Sequence, residues 1–76
     1  MARKNDYWTS KRGDGKWAVK RAGTDRASSL HETQEKAWKE ARRLARGVGS
    51  EAFLKGRDGK IRTRNSYGND PFSMQN

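Results

Sequence analysis

The sequence predicts one small α+β domain, in which a single amphipathic helix packs on one face of an antiparallel β-sheet. Its 76 residues are enough for one domain. A phrase built around Asp-Gly and lysine occurs twice, within residues 12–21 and 56–65, and a helical apolar stripe lies between the copies. These observations predict the order β-β-β-α-β-β, since one helix on one sheet buries the apolar side of each. We expect the domain to span residues 7–71, between a flexible N-terminus (1–6) and a flexible tail (72–76).

The first three strands are predicted from composition and turn chemistry. Residues 7–11 have the aromatic and β-branched content of a strand, and residues 17–21 form a second strand after the glycine-rich turn at 13–15. Asp-Gly supplies the positive φ values that a two-residue hairpin turn needs, so these strands should form a hairpin. A short third strand over residues 26–30 is the weakest of the predicted elements.

The helix is predicted from its caps and its periodicity. Thr33 is a good N-cap residue, and Gly49 suits the position just after the last turn. Between them, apolar residues recur at helical spacing and form one stripe. They are Ala37, Trp38, Ala41, Leu44, Ala45 and Val48.

A second hairpin follows the helix. Residues 51–55 are predicted as its first strand and residues 61–64 as its second, joined by a tight turn at 57–59. In the second strand, Ile61 and Thr63 should face opposite to the basic residues that alternate with them.

The composition indicates a soluble protein that meets polyanions. Eighteen lysines and arginines against nine acidic residues give a net charge of +9, which attracts nucleic acid, acidic proteins and anionic lipid. No apolar run approaches the roughly 20 residues of a membrane span, and the N-terminus does not resemble a secretory signal. We therefore expect a cytoplasmic location, which the absence of cysteine also suits.

The same composition predicts a thin core. Only 30% of the residues are hydrophobic, and no disulfide or thiolate metal site can add stability. Self-association into a homo-oligomer, or a bound partner, would supply further buried surface.

Basic residues are expected on both outer surfaces of the domain. If Trp17, Val19 and Ile61 point towards the helix, the opposite sheet face displays a set of cations that suits phosphate contacts. They are Lys20, Lys60, Arg62 and Arg64. The alternative is a solvated edge strand whose charges prevent aggregation. A secondary basic face on the helix carries Lys39, Arg43 and Arg46, and exposed helices often carry such residues without binding anything.

Exposed aromatic rings would allow stacking on single-stranded bases. Tyr7 and Trp8 are consecutive in a strand and so face opposite sides of the sheet. One of the two is expected to be exposed, and it is the best stacking candidate. The other aromatic residues are needed in a core of this size.

The sequence does not favour an enzyme. His31 is the single histidine, and no cysteine accompanies it. Asp14 and Asp58 are explained by turn chemistry. We therefore predict no catalytic residues, no metal site and no cofactor.

Several phrases together resemble a family of short bacterial proteins, domain of unknown function 2188. They are Trp17-Ala18-Val19-Lys20, Arg26-Ala27-Ser28, Thr33 with Ala37, Gly56-Arg57-Asp58-Gly59-Lys60-Ile61-Arg62 and Ser66-Tyr67-Gly68-Asn69-Asp70-Pro71. The resemblance covers roughly residues 7–71 and implies a small helix-on-sheet domain, with no activity attached. It also includes the segment after Ser66, so that Tyr67 either packs back on the domain or belongs to a contact site.

The expected function is that of a nucleic-acid-binding accessory domain that contacts DNA or RNA phosphates largely independently of sequence. A small protein-binding or inhibitory module, self-associating or docked on an acidic partner, is the alternative. A receptor for a phosphorylated small molecule is a third and weaker interpretation.

Overall fold

Five strands and one helix make up the computed structural model, which describes residues 6–67. They are β1 (Tyr7–Lys11), β2 (Trp17–Arg21), β3 (Ala27–His31), α1 (Gln34–Val48), β4 (Glu51–Lys55) and β5 (Ile61–Ser66). The predicted α+β class and element order are confirmed. Of the segments predicted to be flexible, residues 1–5 and 72–76 lie outside the described residues, as do residues 68–71 of the predicted domain.

The sheet is mixed, with the strand order β3-β2-β1-β4-β5. Three neighbouring pairs are antiparallel, but β1 and β4 are parallel. The prediction of an antiparallel sheet is therefore wrong at its centre. The reason lies in the connection: β4 runs in the same direction as β3, and a parallel return requires a crossover, which α1 supplies. β4 pairs with β1 after that crossover, so the two hairpins meet in one sheet.

Both Asp-Gly phrases form hairpin corners, but with three-residue loops. Backbone hydrogen bonds join Arg12 to Lys16 and Gly56 to Lys60 across the loops. Positive φ occurs only at glycine within residues 6–67, at 88° for Gly15 and 82° for Gly59 in these loops. This is the pattern of a turn followed by a glycine bulge. The two-residue turn is wrong because each aspartate keeps an ordinary φ and uses its carboxylate to accept the amide two residues on.

The helix begins and ends where its caps predict. Thr33 Oγ1 accepts the backbone N–H of Lys36 at 3.1 Å, and Gly49 adopts a left-handed conformation with φ of 70°. Ala37, Ala41 and Ala45 are fully buried against the sheet. Such small side chains let the helix backbone approach the sheet closely. Val48, in the last turn, leaves the predicted stripe and is 52% exposed.

Asp6 closes the start of the domain rather than belonging to a loose N-terminus, which corrects the predicted boundary at this residue. Its carboxylate Oδ1 accepts the N–H of Glu51 at 3.0 Å, and its carbonyl accepts the N–H of Ala22 at 2.7 Å. The side chain is fully buried. Asp6 therefore links the turn after β2 to the start of β4.

Tyr67 packs back on the domain, which was one of the two predicted roles of this residue. Its N–H donates to Ser50 O at 2.9 Å, and its side chain packs against the core cluster.

Within residues 6–67, α1 is too short and too polar to cross a membrane.

Candidate nucleic-acid interface

Four side chains form a row across the sheet face that lies away from the helix. The strand register sets Lys20 opposite Trp8, Trp8 beside Phe53, and Phe53 opposite Arg64. Residues paired in this way lie on the same face of a sheet. Because Val19, next to Lys20, packs in the core with the helix alanines, the row lies on the other face. We call Lys20, Trp8, Phe53 and Arg64 the cross-sheet row.

The two aromatic rings at the centre of the row are stacked. The centroids of Trp8 and Phe53 are 4.2 Å apart, and the angle between the ring planes is 12°. Phe53 is buried, whereas Trp8 keeps part of its surface exposed. Lys55 Nζ lies 5.2 Å from the Trp8 ring centroid, within the range of a cation–π contact. The centre of the row thus combines apolar surface with a cation beside it.

Arg64 ends the row on β5 and lies near one carboxylate. Its Nη1 is 3.8 Å from Glu51 Oε1. The Arg64 side chain is 64% exposed, and ion pairs of this kind contribute little free energy in water. The guanidinium therefore remains available to an incoming anion.

The structure brings together three of the predicted binding residues, Lys20, Arg64 and the stacking candidate Trp8. Tyr7, the other stacking candidate, lies on the helix side and packs against the core cluster. The prediction that these consecutive aromatics face opposite sides is confirmed, and Trp8 is the one on the open face.

Two other predicted residues lie off the row. Lys60 closes the second hairpin loop by its backbone pairing with Gly56, one residue before β5 begins. Arg62 Nη1 donates to Gln34 Oε1 at 3.1 Å, so its guanidinium contacts the first residue of α1. The expected inward position of Ile61 is also wrong, since this residue is 57% exposed. The cause is a shift of the β4–β5 register between Leu54 and Lys55, which disturbs the alternation of side chains at this end of β5.

The helix carries the predicted secondary basic face. Lys39, Arg43 and Arg46 are exposed, and they line an open groove of about 520 Å³. Arg43 donates twice to Glu40, from Nε at 2.8 Å and from Nη2 at 2.7 Å. This hydrogen bonding lowers the pKa of Glu40 and raises the pKa of Arg43. The paired carboxylate offsets part of the positive charge of this face.

No group of histidine, aspartate and glutamate side chains within residues 6–67 could hold a metal ion. His31 Nε2 lies 2.8 Å from Ser29 Oγ, a local contact on the same strand.

On the helix, Arg42 lies over the Trp38 ring, with 5.3 Å from Arg42 Cζ to the ring centroid.

Sequence reasoning did not select Phe53 and Lys55 for the site. β4 contains three consecutive buried residues, Ala52, Phe53 and Leu54, so its apolar pattern does not say which face each one occupies. The spacing of Phe53 and Lys55 does place them on one face. Their position beside Trp8 depends on the parallel pairing of β1 with β4, for which the sequence carries no local signal.

A family model described as an uncharacterized protein conserved in bacteria (DUF2188) matches residues 7–67, from the first residue of β1 to Tyr67. No curated protein and no solved structure matches the chain.

Proposed function

This chain belongs to the uncharacterized bacterial family DUF2188, and we propose that it is a small nucleic-acid-binding accessory domain. In this proposal, the cross-sheet row binds the nucleic acid. Contacts are made largely to phosphates and depend little on sequence.

The arrangement of charge and aromatic surface in the cross-sheet row is the observation that carries the proposal. Lys20 and Arg64 stand at its two ends, and the stacked rings of Trp8 and Phe53 lie between them. Lys55 adds a third cation beside the rings. Cations suit phosphates, and aromatic surface suits nucleobases, so one row offers both kinds of contact.

The overall charge of the chain supports the same partner. A net charge of +9 raises the rate at which the protein meets any polyanion. The helix face also attracts anions, but its Arg43 is held by two hydrogen bonds to Glu40. Tyr67 lines the groove beside these cations but packs against the core cluster. The sheet face is therefore the stronger candidate.

Binding should be measured by fluorescence anisotropy with labelled DNA and RNA oligonucleotides over a range of salt concentrations. The two row cations, Lys20 and Arg64, together with Lys55 beside the rings, predict a slope of about −2 in log affinity against log salt for single strands. Absence of binding to single- and double-stranded DNA and RNA at micromolar protein and low salt would contradict the proposal. Self-association that is insensitive to salt, found in sedimentation without nucleic-acid affinity, would instead favour the protein-binding module.

Removing the carboxylate of Glu51 should strengthen binding. The change Glu51→Gln keeps the side-chain shape and leaves Arg64 without its acidic neighbour at 3.8 Å. Because an exposed pair of this kind is worth about 0.2–1 kcal/mol, we expect an affinity gain of up to about fivefold in the anisotropy titration.

Glu40→Gln on the helix is the matched control, since it removes the same charge from another carboxylate–arginine pair. It should change the affinity less than Glu51→Gln does. Equal gains from the two variants would indicate an effect of net charge alone and would count against the row.

A further inference from the structure

We infer that the cross-sheet row selects single-stranded nucleic acid and contacts its bases through Trp8. This inference rests on the proposed function and deepens it. Contacts to phosphates alone would not favour single strands over duplexes, because a duplex has the higher density of phosphate charge.

The dimensions of the row suit a strand that crosses the sheet. Neighbouring β-strands lie about 4.8 Å apart, so Lys20 and Arg64 are separated by about 14 Å of sheet surface. A single strand laid along the row meets a cation at each end and aromatic surface between them. Phosphates and bases can therefore be contacted together.

Trp8 is the ring that bases can reach. Phe53 is only 7% exposed, and its role is to support the Trp8 ring from one side by stacking at 4.2 Å. Trp8 lies at the sheet centre, since β1 is flanked by β2 and β4. Because the Trp8 indole is supported by Phe53 on a central strand, it is preorganised to contact a base.

Lys55 occupies part of the space above Trp8 in the free protein, with its Nζ 5.2 Å from the ring centroid. A base that stacks on the ring must displace this cation–π contact. Stacking of a base on an aromatic side chain is the stronger of the two interactions. The displaced ammonium gains a phosphate in exchange, because the lysine side chain is long and flexible.

A duplex cannot use these groups in the same way. Its bases are paired and stacked on one another, so it presents mainly phosphates to a sheet surface of this kind. The Trp8 ring would then lose water without gaining a base. Selection for single strands follows from this difference.

The experiment compares three labelled 12-nucleotide probes with the unmodified protein at one low salt concentration. They are a pyrimidine single strand, its duplex with a complementary strand, and an abasic strand that keeps the phosphates. We expect the single strand to bind about tenfold more tightly than either of the others, and to quench tryptophan fluorescence.

The possible outcomes separate this inference from the proposed function. Equal affinity for the single strand and the duplex, or for the single strand and the abasic strand, overturns this inference and leaves the proposed function standing. Absence of binding to all three probes overturns both. Because these probes require no variant, the test does not depend on whether a mutant folds.

Variants of Trp8 provide a second measurement. Trp8→Leu should lower single-strand affinity about tenfold and leave duplex affinity within about twofold, whereas Trp8→Phe should restore most of the loss. Trp38→Leu on the helix is the matched control and should leave both affinities within about twofold. Thermal melting shows which variants are folded. Should Trp8→Leu fail to fold, the comparison of the three probes with the unmodified protein still decides.

Discussion

Replacing Lys20 and Arg64 together by glutamate is expected to reduce single-strand affinity about a hundredfold at low salt, because the row would then present like charges to the phosphates. These residues stand at the two ends of the cross-sheet row, opposite Trp8 and Phe53 in the strand register. The double variant should also flatten the salt dependence, by about 0.7 units of slope for each lost contact between a cation and a single-strand phosphate. Anisotropy titrations at several salt concentrations measure both effects.

The helix offers a control with the same change in net charge. Arg43→Glu together with Arg46→Glu alters two exposed arginines of α1 and leaves the sheet face untouched. Its affinity should fall about tenfold or less, through the long-range field of the protein alone. If the helix variant loses as much affinity as the sheet variant, or more, the row is not the binding site.

Replacing Trp17 by alanine is expected to unfold much of the protein at room temperature. Trp17 is 4% exposed and belongs to the core cluster with Val19 and the helix alanines. Truncation of a buried tryptophan costs about 3–5 kcal/mol of unfolding free energy. A domain below about 80 residues rarely has more than about 3–5 kcal/mol from its core. In thermal melts followed by circular dichroism, the midpoint should fall by at least about 12 °C.

Trp38→Ala is the matched comparison for this prediction. The Trp38 ring is only partly buried, packs at the margin of the core and has Arg42 over it. Removal of this ring should lower the free energy of unfolding by less than half of the loss caused by Trp17→Ala, since less buried apolar surface is lost. A larger loss for Trp38→Ala than for Trp17→Ala would mean that the helix–sheet interface, and not the Trp17 side of the core, dominates stability.

Local chemistry explains why the elements could be predicted so closely. The bounds of β1, β2 and β4 coincide with the predicted strands, while β3 is displaced by one residue and β5 is longer by two. The caps at Thr33 and Gly49 set the ends of the helix through hydrogen bonds within a few residues. Each of these features depends on neighbours in the chain, and such neighbours can be read directly from the sequence.

The length of the hairpin loops could not be predicted from neighbouring residues alone. Asp-Gly correctly predicts a corner at both hairpins, but the choice between a two-residue and a three-residue loop depends on which strand residues pair. Pairing brings Arg12 to Lys16 and Gly56 to Lys60. The same pairing shifts register beside Lys55 and sends Arg62 towards the helix.

The candidate site was predicted in part. Charge and alternation selected Lys20 and Arg64, and the paired aromatics selected Trp8. The row takes Lys20 from the strand after the first copy of the Asp-Gly phrase and Arg64 from the strand after the second copy. Phe53 and Lys55 could not be chosen, because their neighbour across the sheet was unknown.

The amino-acid sequence by itself determined the class of fold, the position of each strand and of the helix, and the large positive charge. These depend on turn residues, caps and periodicity, which act over a few positions. Only the tertiary structure decided that β1 and β4 lie side by side and parallel, which stacks Trp8 on Phe53 and lines up Lys20 with Arg64. That pairing joins residues more than forty positions apart. The pairing of β1 with β4 depends on how the helix crosses the sheet and on which surfaces are buried together. No local sequence pattern predicts it, because the contact is far apart in the chain.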